Sequence, residues 1–140
     1  MRKFGILAAA LSVIAVATPV LAHHGFDTEY DASKHVKLEG VVTMVSWTNP
    51  HMRVYIDVKD KDGKVTNWAV EAGAPNALLR RGLRNSDFPA GVEVTVEGYR
   101  AKGGGPTANG TKVTFKDGRN FFLGATDNAG GAGGNDAAPK

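Results

Sequence analysis

The chain has 140 residues, of which 42% are hydrophobic and 22% are charged, and it contains no cysteine. That length supports one domain with one modest core. Without cysteine, the protein has no disulfides, no thiolate catalysis and no cysteine-based zinc site. The formal net charge of +3 is small for a general nucleic-acid binder, so we expect no nucleic-acid partner.

Residues 1–22 have the pattern of a cleaved secretory signal peptide. A basic start precedes an apolar run over 4–17, and small residues before position 23 suit a signal peptidase. A transmembrane anchor is the alternative, but a spanning helix needs about 20 apolar residues and this run breaks at Thr18-Pro19. We therefore expect cleavage after Ala22, export and no stable membrane anchor. A cut after Ala17 would instead leave the first histidine away from the new N-terminus.

The segment 36–124 predicts a mainly β domain that begins with three strands. Residues 36–47 are rich in β-branched side chains, and apolar and polar residues alternate through 52–59. The Asp-Gly turn within 60–63 then predicts a hairpin leading into a third strand over 64–71.

One helix and two further strands complete the predicted domain. Residues 74–82 favour a short helix, with proline near its start and glycine just past its end. Residues 91–100 alternate as a fourth strand, a Gly-rich loop covers 102–110, and 111–123 form a fifth strand turned at Asp117-Gly118. The remaining 125–140 have few hydrophobic residues and predict a disordered tail.

This order of elements is that of the OB-fold, a small barrel whose long first strand pairs in both halves of the sheet. Gly40 lies midway along the first strand and suits its bend. We therefore expect an OB-fold-like five-stranded barrel with one short helix between strands 3 and 4. A generic half-open β-meander with a packed helix is the alternative.

The predicted ligand-binding residues follow from the fold, because OB-folds bind ligands on strands 2 and 3 between two loops. Trp47, Asn49 and His51 bring an aromatic ring, an amide and an imidazole to the loop between strands 1 and 2. Arg53 and Tyr55 follow on strand 2. In the alternative interpretation, Trp47 is a core or rim residue, Asn49 belongs to a turn and His51 is a hydrogen-bonded loop histidine.

The histidines predict a metal site. All four, His23, His24, His35 and His51, precede residue 52. After cleavage at Ala22, His23 would offer its α-amine and its ring Nδ1 as a chelate. A third nitrogen from His24 or His51 would complete an all-nitrogen site suited to Cu(II). We therefore expect copper(II) held by His23, His24 and His51, with adventitious copper binding at an unfolded terminus as the alternative.

Other charged residues have two interpretations. Glu71 with Arg80 and Arg81 would form a cluster that reaches an anionic ligand, or the arginines would simply complement their own helix dipole. Tyr99 and Arg100 end the fourth strand near the Gly-rich loop and need no ligand. No nucleophile elbow or serine triad is evident, so we expect no enzyme.

Several strings resemble one known family. They are His23-His24-Gly25-Phe26, Leu38-Glu39-Gly40-Val41-Val42, Trp47-Thr48-Asn49-Pro50-His51, Asn67-Trp68, Pro75-Asn76 and Gly98-Tyr99-Arg100-Ala101-Lys102. Together they are similar to a family of small bacterial exported proteins classed as domains of unknown function. The resemblance implies a periplasmic location and a small β-rich fold, and it brings no activity or ligand. Gly25 departs from the serine usual there.

Two functional hypotheses result. The first is a periplasmic metal-binding protein whose partner is a metal ion. The second is a non-metal interaction module that docks a periplasmic partner protein or a small ligand on the OB face. The metal-binding hypothesis requires His23 and its free amine, whereas the docking function should survive their loss.

Overall fold

A computed structural model of the protein describes residues 25–124. The predicted signal peptide, His23, His24 and the predicted tail over 125–140 lie outside the described residues. The described part is mainly β, as predicted, with six strands and little helix. No helix within 25–124 combines the length and the apolar character needed to cross a membrane.

The helices and strands agree with most of the predicted pattern. In chain order they are α1 Phe26–Glu29, β1 Tyr30–Ser46, β2 Arg53–Lys59, β3 Val65–Glu71, α2 Pro75–Arg80, a 3-10 helix Asn85–Asp87, β4 Glu93–Ala101, β5 Thr107–Phe115 and β6 Asn120–Phe122. Helix α1 was not predicted, and β1 begins at Tyr30, six residues before the predicted start at residue 36. Residues 107–110 were predicted to be loop.

The described sheet closes in a ring. Its strands lie in the order β3-β2-β1-β4-β5-β6, and β3 also pairs in parallel with β5 at residues 69–71 and 107–109. This parallel pairing explains why β5 begins within the predicted Gly-rich loop. The expected count of five strands is corrected to six, because the turn at Gly118 (φ +91°) folds the predicted fifth strand back as β6.

The long strand β1 belongs to both halves of the ring. Gly40 and Val41 pair with β2 on one side and with β4 on the other. A Cβ atom on Gly40 would lie 2.4 Å from the carbonyl oxygen of Asp57. Glycine is therefore required at this crossing by the close approach of β2, while the irregular register lies slightly later, between Val42 and Met44.

Apolar side chains from all parts of the ring fill its interior. α2 begins at Pro75, as predicted, and its Leu78 closes the core together with Leu83 from the segment that follows. The fully buried members with the largest side chains are Met52, Ile56, Leu78, Leu83, Leu123, Val42, Val54, Val70, Val96 and Val113. On β2 these core residues alternate with Arg53 and Tyr55, which therefore face outward.

We predict that Gly40→Ala lowers the free energy of unfolding by about 1–3 kcal/mol, because the new methyl group meets backbone that cannot move aside freely. Gly103→Ala is the matched control, since no atom lies within 4 Å of the position of its Cβ. Urea unfolding followed by circular dichroism measures both. Equal stability of the two variants would contradict the assigned role of Gly40.

Candidate functional site

Five residues form one continuous row around the outside of the ring. Arg53 pairs with Glu71 across β2 and β3, and Glu71 pairs with Asn109 on β5. Asn109 in turn pairs with Tyr99 on β4, and Tyr99 with His35 on β1. We call these residues the outer row. It brings together chemically active side chains that are far apart in the sequence.

Glu71 is the centre of the polar contacts in this row. Its side chain is only 10% exposed, although a carboxylate is costly to bury without partners. Its Oε1 lies 2.8 Å from Nδ1 of His51, and its Oε2 accepts a hydrogen bond of 2.9 Å from Arg53. Nδ1 of His51 therefore faces the carboxylate, and Nε2 has no hydrogen-bond partner among the described residues.

Tyr30 contacts the same carboxylate from the start of β1. It is 5% exposed, and its phenol interacts electrostatically with Glu71. Burial, followed by the negative charge of Glu71, raises the pKa of Tyr30 to about 12. The hydrogen bond with Glu71 also raises the pKa of Arg53. His51, Arg53 and Tyr30 thus surround one buried carboxylate.

The first described residues lie over the outer row. The ring of Phe26 stacks on Tyr30 at 5.8 Å and meets Tyr99 edge-on at 5.3 Å. The backbone N–H of Lys102 donates to the carbonyl oxygen of Glu29, which joins this segment to the end of β4. We call residues 26–30 the N-terminal strap. It holds the start of the described chain on the face that carries Glu71.

The predicted ligand-binding residues do not all come together. His51 and Arg53 meet at Glu71. Trp47 is half-buried and packs against the core, as the alternative interpretation expected, and Asn49 is exposed in the loop after β1. Tyr55 is half-buried opposite the exposed Met44 on the outside of the sheet.

The two described cavities lie elsewhere on the molecule. One, of about 420 Å³, is lined by residues that include Gly40, Asp57 and Glu93. The other, of about 560 Å³, lies beside Leu79 and Phe88. The predicted face around Trp47 and Asn49 therefore does not coincide with either of these two cavities.

The partners of Glu71 and Arg81 differ from the predicted cluster. Both carboxylate oxygens of Glu71 are engaged by His51 and Arg53. Arg81 instead donates to the carbonyl oxygens of Phe122 and Gly124 and lies 4.9 Å above the ring of Phe122. Glu71 and Arg81 therefore have separate partners, and Arg81 fixes the end of β6.

Tyr99 and Arg100 face opposite sides of β4. Tyr99 contacts Phe26 and His35, whereas the guanidinium of Arg100 lies 5.4 Å above the ring of Trp68. Arg100 also donates a 2.7 Å hydrogen bond to the carbonyl oxygen of Gly104. The two residues therefore do not line one cleft.

Between residues 25 and 124, no three His, Cys, Asp or Glu side chains gather into a group that could hold a metal ion. His51 has an open Nε2, and His35 packs on Tyr99 with a centroid distance of 4.4 Å. The other two predicted ligands, His23 and His24, precede the described range.

Comparison with known proteins gives one match. A model described as a family of unknown function, DUF6152, matches residues 9–112, which is more than half of the chain. No curated protein and no solved structure matches significantly.

We predict that the free energy of unfolding falls as the pH rises from about 10 to 12 by about 2–3 kcal/mol through Tyr30 alone. The unfolded chain releases the phenolic proton near its ordinary pKa of 10.0, whereas the folded protein retains it up to about 12. The stability that Tyr30 contributes is therefore fully present below about pH 10, and it is lost progressively as the pH rises to about 12. Denaturation curves of wild type and Tyr30→Phe across this range measure the difference, and parallel pH profiles would contradict it.

Proposed function

The chain belongs to the DUF6152 family, whose function is unknown, and from this premise we propose that it is a periplasmic copper(II)-binding protein. The proposed ligands are His23 through its α-amine and Nδ1, with His24 and His51. The proposal includes export and removal of residues 1–22 by a signal peptidase.

The observation that supports this proposal most is that the N-terminal strap and His51 both interact with Glu71. Phe26 stacks on Tyr30, Tyr30 interacts electrostatically with Glu71, and Glu71 contacts His51. His24 precedes Phe26 by two residues, a distance of about 7 Å in an extended chain. We propose that this short reach lets the new N-terminus and His51 bind the same ion.

The chemistry of these donors favours Cu(II). Three imidazoles and an amine with a reference pKa near neutrality give up protons at little cost, and an N-terminal chelate suits a tetragonal geometry. Among divalent first-row metals, copper binds nitrogen sites most strongly. A site that joins a terminal amine to a loop histidine forms only in the folded protein, which distinguishes it from adventitious binding to a flexible peptide.

A non-metal docking function is the second candidate. The closed ring, with β3 beside β5, supports our interpretation of the domain as an OB-fold. OB-folds bind ligands on the face of strands 2 and 3. On the corresponding strand β2 of this protein, Tyr55 lies opposite Met44, which is 54% exposed. This apolar pair, together with Trp47, Asn49 and Arg53 nearby in the sequence, would dock a partner protein or a small ligand. Loss of His23 would leave that function intact.

We predict that the mature protein binds one Cu(II) ion tightly, and that binding weakens at least tenfold in His51→Gln. Calorimetry and electron paramagnetic resonance measure affinity and coordination, after intact mass has verified the N-terminus. A variant with one additional residue before His23 should lose the chelate, because its amine is moved away.

His35→Gln is the matched control, since it removes an exposed histidine of the outer row that is not a proposed ligand. It should retain wild-type affinity. Binding that tolerates both the N-terminal extension and His51→Gln would reject the proposal in favour of adventitious copper, and the Tyr55 face would then be tested for docking.

A further inference from the structure

We propose that Glu71 is a positioning residue that sets which ring nitrogen of His51 is open. Its carboxylate keeps the proton of the neutral imidazole on Nδ1, which leaves Nε2 as the only nitrogen that can bind a metal. The role toward the metal rests on the proposed copper function, whereas the selection of the tautomer does not.

The contacts explain why Glu71 acts through His51 and is not itself a ligand. Both carboxylate oxygens already accept hydrogen bonds, Oε1 from His51 at 2.8 Å and Oε2 from Arg53 at 2.9 Å. The Glu71 side chain is 10% exposed, while that of His51 is 43% exposed. The imidazole is thus the member of the pair that an ion in solvent reaches. Such a carboxylate–histidine pair fixes the orientation of the ring.

Arg53 makes the negative charge of Glu71 essential to this arrangement. A guanidinium donates hydrogen bonds and never accepts them. In Glu71→Gln, the single amide oxygen would face Arg53, because the amide NH₂ group cannot be placed against another donor. The NH₂ group would then face Nδ1 of His51. Nδ1 would have to accept a hydrogen bond, so the imidazole proton would move to Nε2.

A second substitution should return the imidazole proton of His51 to Nδ1. Removing Arg53 as well frees the amide oxygen of residue 71 to turn toward His51. In the double variant Glu71→Gln/Arg53→Leu, the oxygen would again accept from Nδ1, and Nε2 would reopen. A role of Glu71 limited to packing would give no such recovery, because the double variant removes more interactions than the single one.

The test is the tautomer of His51 in the metal-free protein, read from long-range ¹H–¹⁵N spectra above the pH at which imidazoles are protonated. We expect the Nδ1–H form in the wild type and in Arg53→Leu, the Nε2–H form in Glu71→Gln, and a return to Nδ1–H in the double variant. Glu97→Gln is the matched control, because Glu97 pairs with Lys112 on another part of the sheet. It should leave the spectrum of His51 unchanged.

Copper titration of the same variants connects the tautomer to the metal. Glu71→Gln should weaken Cu(II) binding by about 10–100-fold and alter the electron paramagnetic resonance spectrum of the bound copper. Most of the affinity should be recovered in the double variant. A wild-type Nε2–H form, or an unchanged tautomer in folded Glu71→Gln, would overturn the inference. Expected tautomers without any specific copper binding would instead reject the proposed function and leave the role of Glu71 in place.

Discussion

One buried negative charge organises the outer face of this protein. Glu71 lies at the end of β3, where that strand pairs in parallel with β5, and its side chain is only 10% exposed. A carboxylate in such a place needs partners: His51 and Arg53 contact its two oxygens, and Tyr30 interacts with it electrostatically from a third segment. The interactions of one side chain therefore join the loop after β1, strand β2 and the N-terminal strap.

The ring itself depends on a different constraint, the double pairing of β1. A strand that serves both halves of a closed sheet must bring two neighbouring strands close together at its midpoint. At Gly40, the carbonyl oxygen of Asp57 occupies the space of a side chain. This crossing allows β4 and β5 to reach the far edge of β3, and their pairing places Asn109 and Tyr99 in line with Glu71.

Local patterns in the sequence predicted much of this fold. Alternation and the Asp-Gly turn located β2 and β3, and the same turn sets the register that continues from Lys59 opposite Val65 to Arg53 opposite Glu71. The pair of Arg53 and Glu71 was thus within reach of the sequence analysis. The family resemblance, too, is confirmed by the match over residues 9–112.

Features that depend on distant pairing were not predicted. Residues 107–110 have a loop composition and become strand only because β3 and β4 lie on either side of them. Tyr30 has no local signal for its contact with Glu71, since the two residues meet only after the ring has closed. For the same reason, the sequence left open a cluster of Glu71 with Arg80 and Arg81, although the partners of Glu71 are His51 and Arg53.

The pairing of β1 with β4 also has a consequence for the rate of folding. The β2–β3 hairpin joins residues close in sequence, so His51, Arg53 and Glu71 can meet through local chain closure. β1 and β4 instead connect residues as distant as His35 and Tyr99. Such nonlocal contacts raise the contact order of the chain, and proteins dominated by them fold on the millisecond-to-second scale. Attachment of the strap to Glu71 therefore belongs to the slow, topology-limited part of folding.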